Sequence, residues 1–171
     1  MRTGIIYSIE VNLAHSLEIQ VGQLLHEHGF KLVLAESCTG GLLGSRITDV
    51  AGSSEYFLGS VVAYAYEVKA ELLKVSWNTL NTKGAVSRET VLEMARGVRD
   101  LLKADIAVSV SGIAGPGGGT PEKPVGTTWI GLVAEDEERA ELFHFSGDRE
   151  QNKVSAADAA LNLLLDYLQA K

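Results

Sequence analysis

The stretch LAESCTGG, Leu34 to Gly41, holds a carboxylate, a serine, the only cysteine, a threonine and two glycines in eight positions. Lys31 to Ala35 has the apolar run of a buried strand, and the glycines lead into LLGSRITDV, a helical pattern from about Gly41 to Asp49. Ser37 therefore falls at the carboxyl end of a strand. Ligands of α/β proteins bind at that edge, because helix amino termini leave backbone N–H groups free there. A nucleophilic Ser37 would have the N–H groups of Thr39, Gly40 and Gly41 close by to hold an oxyanion. The same place suits a serine that only caps a helix or closes a turn, which is the commoner use.

A nucleophilic serine needs a base. Tyr64 stands at the end of a second strand pattern, and Lys69 follows one turn into EVKAELL. Lysine can replace histidine in this role when burial lowers its pKa from about 10.4 toward neutrality. Spacing alone leaves Tyr64 open as an edge aromatic and Lys69 as a solvated helix residue. Cys38 is a nucleophile by type, yet no local pattern brings a histidine to it. His26 and His28 lie two apart on a helix and point in different directions, while His15 and His144 stand alone, so no metal site is expected. The chain has no G-x-S-x-G elbow, no Ser-x-x-Lys pair, no P-loop and no G-x-G-x-x-G, which removes the reactions those motifs carry. No cofactor is called for.

The segment SGIAGPGGGTPEKPVG, Ser111 to Gly126, packs six glycines and three prolines into sixteen residues, too many backbone breakers for regular structure. Such a loop after a strand can approach a ligand with main-chain donors, and Gly112, Gly115 and Gly117 are its candidate contacts. A surface loop without function has the same composition, although long loops in compact domains more often carry function or are disordered. Arg149 opens the last helix, where a positive charge opposes the helix dipole. An anionic ligand would reconcile the two; otherwise Arg149 pairs with Asp148 or Glu150.

These residues need a scaffold, and hydrophobic periodicity supplies one. Leu13, Leu17, Val21, Leu24 and Leu25 mark an amphipathic helix from Val11 to His28, closed by Gly29. Strands are expected at Lys31 to Ala35, Phe57 to Ala65, Asp105 to Ser111, Thr127 to Ala134 and Arg139 to Phe145, the last two joined by the acidic turn EDEE. A short helix covers EVKAELLKV. Ser87 caps a helix from Arg88 to Leu102, and Asp148 with Gln151 forms a capping box for a helix reaching about Leu168. The alternation predicts a single α/β domain over residues 1–171, a three-layer α/β/α sandwich with a mixed, mostly parallel sheet. Residues 1–10 fit no pattern and read as a loose lead-in.

At 171 residues the chain suits one domain, and 46% hydrophobic with 22% charged residues is ordinary for a folded protein. A net charge of −7 without a basic block argues against a nucleic-acid groove or an anionic membrane as partner, and for a small molecule. One cysteine forms no internal disulfide, nothing at the start reads as a signal peptide, and no apolar run approaches the roughly 20 residues needed to span a bilayer. A cytoplasmic protein is expected, with a homodimer shielding the ligand edge of the sheet.

LAESCTGG, VVAYAYEVK, SGIAGPGGGTPEKPVGTTWIGL and FSGDREQNKVSAA, in this order, resemble the CinA C-terminal domain family over nearly the whole chain from about Leu17. The resemblance implies the activity of the family's stand-alone members: hydrolysis of the carboxamide of nicotinamide mononucleotide to nicotinate mononucleotide and ammonia, in pyridine-nucleotide recycling. The family's nucleophile falls on Ser37, its lysine on Lys69 as the expected base, its tyrosine on Tyr64, expected to relay the proton or deliver it to the leaving ammonia, its polar residue before GIAGP on Ser111 and its arginine on Arg149. Serine replaces the familiar threonine at Ser111, and Ala65 and Tyr66 stand where small polar residues are usual. A pyrophosphatase activity belonging to the amino-terminal domain of the larger members is not expected. The family's link to competence proteins implies an alternative, a non-catalytic module that senses a nucleotide or binds a partner.

Overall fold

The computed structural model describes residues 16–171. In chain order the elements are α1 (Leu17–His28), β1 (Leu32–Glu36), α2 (Leu42–Thr48), a single 3-10 turn (Ser53–Glu55) and β2 (Phe57–Val62). They continue with α3 (Tyr66–Leu73), α4 (Trp77–Lys83), α5 (Arg88–Leu102), β3 (Ile106–Gly112), β4 (Thr127–Val133), β5 (Glu138–His144) and α6 (Arg149–Gln169). The sheet order is β2-β1-β3-β4-β5. β1 pairs in parallel with β2 and β3, whereas β3–β4 and β4–β5 are antiparallel, so four of the five strands run the same way. α1, α2 and α6 cover one face, around Leu25, Leu34, Ile47 and Leu164. α3, α4 and α5 cover the other, around Val33, Leu73, Met94 and Val98. This is the three-layer sandwich with a mixed sheet that the sequence pattern calls for.

Every residue of β1 is buried. Its side chains alternate between the two layers, so both faces demand apolar residues, and Leu32 to Ala35 supply them. The chain leaves this central strand at Ser37, whose N–H donates to Val110 O of β3 at 2.9 Å. On the other flank Ala63 N–H donates to Glu36 O at 2.8 Å. The serine therefore sits in backbone fixed from both neighbouring strands.

Several local expectations hold. Gly29 terminates α1 at φ +70, the Ser87 hydroxyl accepts from Thr90 N–H, and Asp148 and Gln151 form a complete capping box. Others shift. The proposed start of the first helix at Val11 lies outside the described residues, as do residues 1–10. β2 stops at Val62 and not at Ala65, because Ala63 turns inward and Tyr66 opens α3. α4 was not expected: WNTLNTK buries only Leu80, too narrow a stripe to show a helical period.

One glycine governs where α3 lies. A Cβ on Gly97 of α5 would stand 1.8 Å from Leu73 O of α3. The two helices touch backbone to backbone there, and any side chain at residue 97 would push α3 off the sheet.

Candidate active site

Lys69 projects from α3 into the sheet and is fully buried. Its Nζ lies 3.1 Å from Ser37 Oγ, 2.6 Å from Ala63 O and 3.1 Å from Tyr64 O. Lys69 forms no ion pair among the described residues. Burial without a counter-ion penalises the ammonium, and the Lys69 pKa is lowered to about 8. A neutral amine has two N–H groups and one lone pair. The two carbonyls take the N–H groups, which leaves the lone pair to accept the Ser37 hydroxyl proton. The contact that sequence spacing left open is thus made in the folded chain.

Cys38, next to the serine, has a different environment. Burial pushes its thiol up to about 11, against the N–H groups of Cys38 and Thr39 and the nearby Lys69, which lower it. A thiol held protonated is a poor nucleophile.

Ser37, Lys69, Ser111, Gly112, Tyr64 and Arg149 line one cavity of about 190 Å³, together with Ala85, Val86 and Ala114. Tyr64 and Arg149 stand at its exposed edge; Tyr64 is 62% accessible. Arg149, the first residue of α6, donates from Nη1 to Gly115 O at 2.7 Å and from Nη2 to Tyr64 Oη at 3.3 Å. It pairs with neither Asp148 nor Glu150, whose carboxylates make no ion pair with it. Tyr64 Oη makes no hydrogen bond to Ser37 or Lys69, so a proton relay through that hydroxyl has no bond to run along, in contrast to the direct Lys69–Ser37 contact.

The helix amino terminus behind Ser37 is not free. Glu36, fully buried, accepts from Gly41 N–H at 3.0 Å, Leu43 N–H at 3.1 Å, Gly44 N–H at 2.8 Å and Ser60 Oγ at 2.8 Å. Gly40 N–H donates to Ser37 O at 3.2 Å. The expectation that Gly40 and Gly41 hold an oxyanion is therefore corrected, since both N–H groups already have acceptors. The N–H groups of Cys38 and Thr39 remain, turned toward the Cys38 sulfur. Thr39 itself is fully buried and its hydroxyl has no hydrogen-bond partner.

Two further expectations change. Gly115 accepts from Arg149 at its carbonyl and Gly117 is exposed, and neither glycine lines the cavity. The Ser111 hydroxyl donates to Ala85 O at 2.8 Å, so it shapes the cavity wall. Sequence reasoning missed Glu36, Asn152, Ala85 and Val86. Glu36 left a signal, a carboxylate ending a strand otherwise wholly apolar, which must find partners if buried. Asn152 is buried and donates to Ala114 O at 3.1 Å and Gly147 O at 2.9 Å, tying the loop to α6. Nothing in its sequence neighbourhood marks it. Larger cavities lie elsewhere, one of about 590 Å³ between α1 and the turn at Asp49–Gly52, but the Ser37–Lys69 contact lies in the smaller one.

A three-layer α/β/α protein with a serine–lysine contact at the carboxyl end of its central strand is the class this geometry defines. The model of the CinA C-terminal domain matches residues 14–168, and the chain belongs to that family. It is 50% identical over 159 residues to a CinA-like protein of Chlorobaculum tepidum, and 47% identical over 156 residues to one of Geotalea daltonii. These matches take in 90% and 91% of this chain but 38% of each relative, so the chain spans less than two fifths of the length of those proteins. The crystal structure of a CinA superfamily protein from Klebsiella pneumoniae superposes with a TM-score of 0.87 at 34% identity, covering 91% of this chain and 97% of that one. The competence/damage inducible protein of Agrobacterium tumefaciens gives 0.84 at 35% identity, covering 90% and 95%. No helix among the described residues is long and apolar enough to cross a membrane.

Proposed function

We propose that this chain is a cytosolic amidohydrolase that converts nicotinamide mononucleotide to nicotinate mononucleotide and ammonia. The observation that carries the reading is the buried Lys69 amine, without a counter-ion, 3.1 Å from Ser37 Oγ. Ser37 Oγ attacks the carboxamide carbon while its proton passes to the Lys69 lone pair. The carbonyl oxygen becomes an oxyanion, for which the N–H groups of Cys38 and Thr39 are the candidate donors, since the Cys38 sulfur they face is a weaker acceptor than an oxyanion. On collapse the C–N bond breaks, and the proton returns from Lys69 to the leaving nitrogen, releasing ammonia. Water, deprotonated by Lys69, then hydrolyses the Ser37 ester to the carboxylate and restores the serine hydroxyl. Arg149 and Tyr64, at the edge of the cavity, hold the nucleotide phosphate. Gly112 lines the cavity beside them.

Ammonia release from nicotinamide mononucleotide by the purified chain tests the reading. The names of the relatives keep a second one in view, a competence-linked module that binds a nucleotide without turning it over. Binding of the mononucleotide with no ammonia released would support that reading and refute the amidase. We further propose that the chain is a twofold dimer: Leu58 and Val62 leave apolar surface exposed on the edge strand β2. Sedimentation as a monomer at high micromolar concentration would refute this.

A further inference from the structure

The cavity has a second wall that the chemistry above does not use. Between α4 and α5 the three residues Gly84 to Val86 form no regular structure, and Ala85 and Val86 line the cavity. Their backbone is held by side chains from several separate elements. Tyr66 Oη on α3 accepts the Ala85 N–H at 3.2 Å, and Ser111 Oγ at the end of β3 donates to Ala85 O at 2.8 Å. Lys123 Nζ, from the glycine-rich loop, donates to Val86 O at 2.7 Å and to Lys83 O at 2.8 Å. The Ser87 and Thr90 hydroxyls both donate to Gly84 O, at 3.0 and 2.8 Å. A short irregular segment has no ladder of its own, so these bonds decide where it stands.

Tyr66 is the informative member. It lies three residues before Lys69 on α3, so the helix that delivers the amine to Ser37 also holds the wall. We propose that Tyr66 is a positioning residue that sets the width of the cavity at Ala85 and Val86, and so the size of the acyl group admitted to Ser37. This rests on Ser37 being the nucleophile. It does not depend on the substrate being a nucleotide.

The test uses two fluorophosphonates on the whole chain, one with a methyl group and one with a phenyl group on phosphorus. Ser37 Oγ bonds to phosphorus, fluoride leaves, and the hydroxyl proton passes to Lys69, so the label reads access to the serine and needs no natural substrate. Removing the Tyr66 hydroxyl by Tyr66→Phe releases the Ala85 N–H, and the ratio of phenyl to methyl labelling rates should rise about fivefold, the scale of one hydrogen bond. Ser111→Ala, which releases Ala85 O, should move the ratio in the same direction. An unchanged ratio in folded Tyr66→Phe protein overturns the proposal, and if that variant does not fold, an unchanged ratio in Ser111→Ala does so. Wild-type chain that takes up neither label overturns it together with the nucleophile. A shifted ratio in a chain that releases no ammonia from nicotinamide mononucleotide would refute the amidase reading and leave the wall standing.

Discussion

The two ends of the candidate site are built on opposite terms. At the inner end, Ser37 and Lys69 are buried, fixed by β3, by two carbonyls and by the backbone contact of α3 with α5 at Gly97. At the outer end, the side chains of Tyr64 and Arg149 are exposed; Arg149 donates to Gly115 O at 2.7 Å, and the two side chains meet in a 3.3 Å bond. Burial changes what a group is chemically, by shifting its proton affinity. Exposure leaves a group free to meet a ligand. The inner pair has the environment of a reacting centre, and the outer pair that of a recognition surface.

Breaking the inner pair should have the largest effect. Ser37→Ala is expected to lower amidase turnover by about 10³-fold or more, while the thermal midpoint moves little, because the hydroxyl supports no core packing. Ammonia assay and thermal unfolding on the same preparation check this. Retained turnover in folded Ser37→Ala protein would remove the serine from the mechanism.

Breaking the outer pair should cost less. Arg149→Ala is expected to lower kcat/KM for nicotinamide mononucleotide roughly tenfold to a hundredfold, the worth of a charge-assisted hydrogen bond of about 1.5 to 3 kcal/mol. Nicotinamide riboside, lacking the phosphate, should be a poor substrate for the wild type and should lose little more with the variant. Equal use of both compounds by the wild type would end the phosphate role.

Proton linkage sharpens the contrast without a large change in structure. The rate should climb with pH and level off above about pH 8 as Lys69 loses its proton, and a flat profile from pH 6 to 9 would contradict the base role. Stability follows the same group. An unfolded lysine titrates near 10.4, so between about pH 8 and 10.4 the unfolded chain binds the extra proton and the fold gains stability as pH rises. Below pH 8 both states are protonated and the difference is constant. Measured against Lys69→Met, the wild type should gain on the order of 3 kcal/mol across that window, read from denaturant unfolding at each pH. A parallel pair of curves would show that Lys69 is not titrating from a buried site.

The smallest expected effect is that of Tyr64→Phe. It removes one long, exposed hydrogen bond to Arg149, and KM for the mononucleotide should rise about twofold to threefold with kcat unchanged. A fall in kcat with KM unchanged would instead return a proton-transfer role to Tyr64.

The layers and most elements were legible in the sequence, because strands buried on two faces and the amphipathic α5 leave periods that local pattern reveals. The position of Ser37 was legible for the same reason, as the end of a strand. The Lys69 contact was not, since a lysine one turn into a short helix reads identically whether it faces water or the sheet. Its burial follows from how α3 packs on the sheet and on α5, a close approach that the missing side chain at Gly97 permits. The free donors assigned to Gly40 and Gly41 went wrong through a competing acceptor. Counting open N–H groups at a helix start omits a buried carboxylate from the preceding strand, and Glu36 is that carboxylate.

That carboxylate also settles an electrical question. Glu36 is the residue before Ser37, and a negative charge so near would ordinarily pin the lysine as a permanent cation, unable to accept a proton. Three backbone N–H groups at the start of α2 and the Ser60 hydroxyl bind its oxygens and offset part of that field. The helix end acts as a partial screen: it sits over the carboxylate that adjoins Ser37, beside an amine whose switching point lies near pH 8.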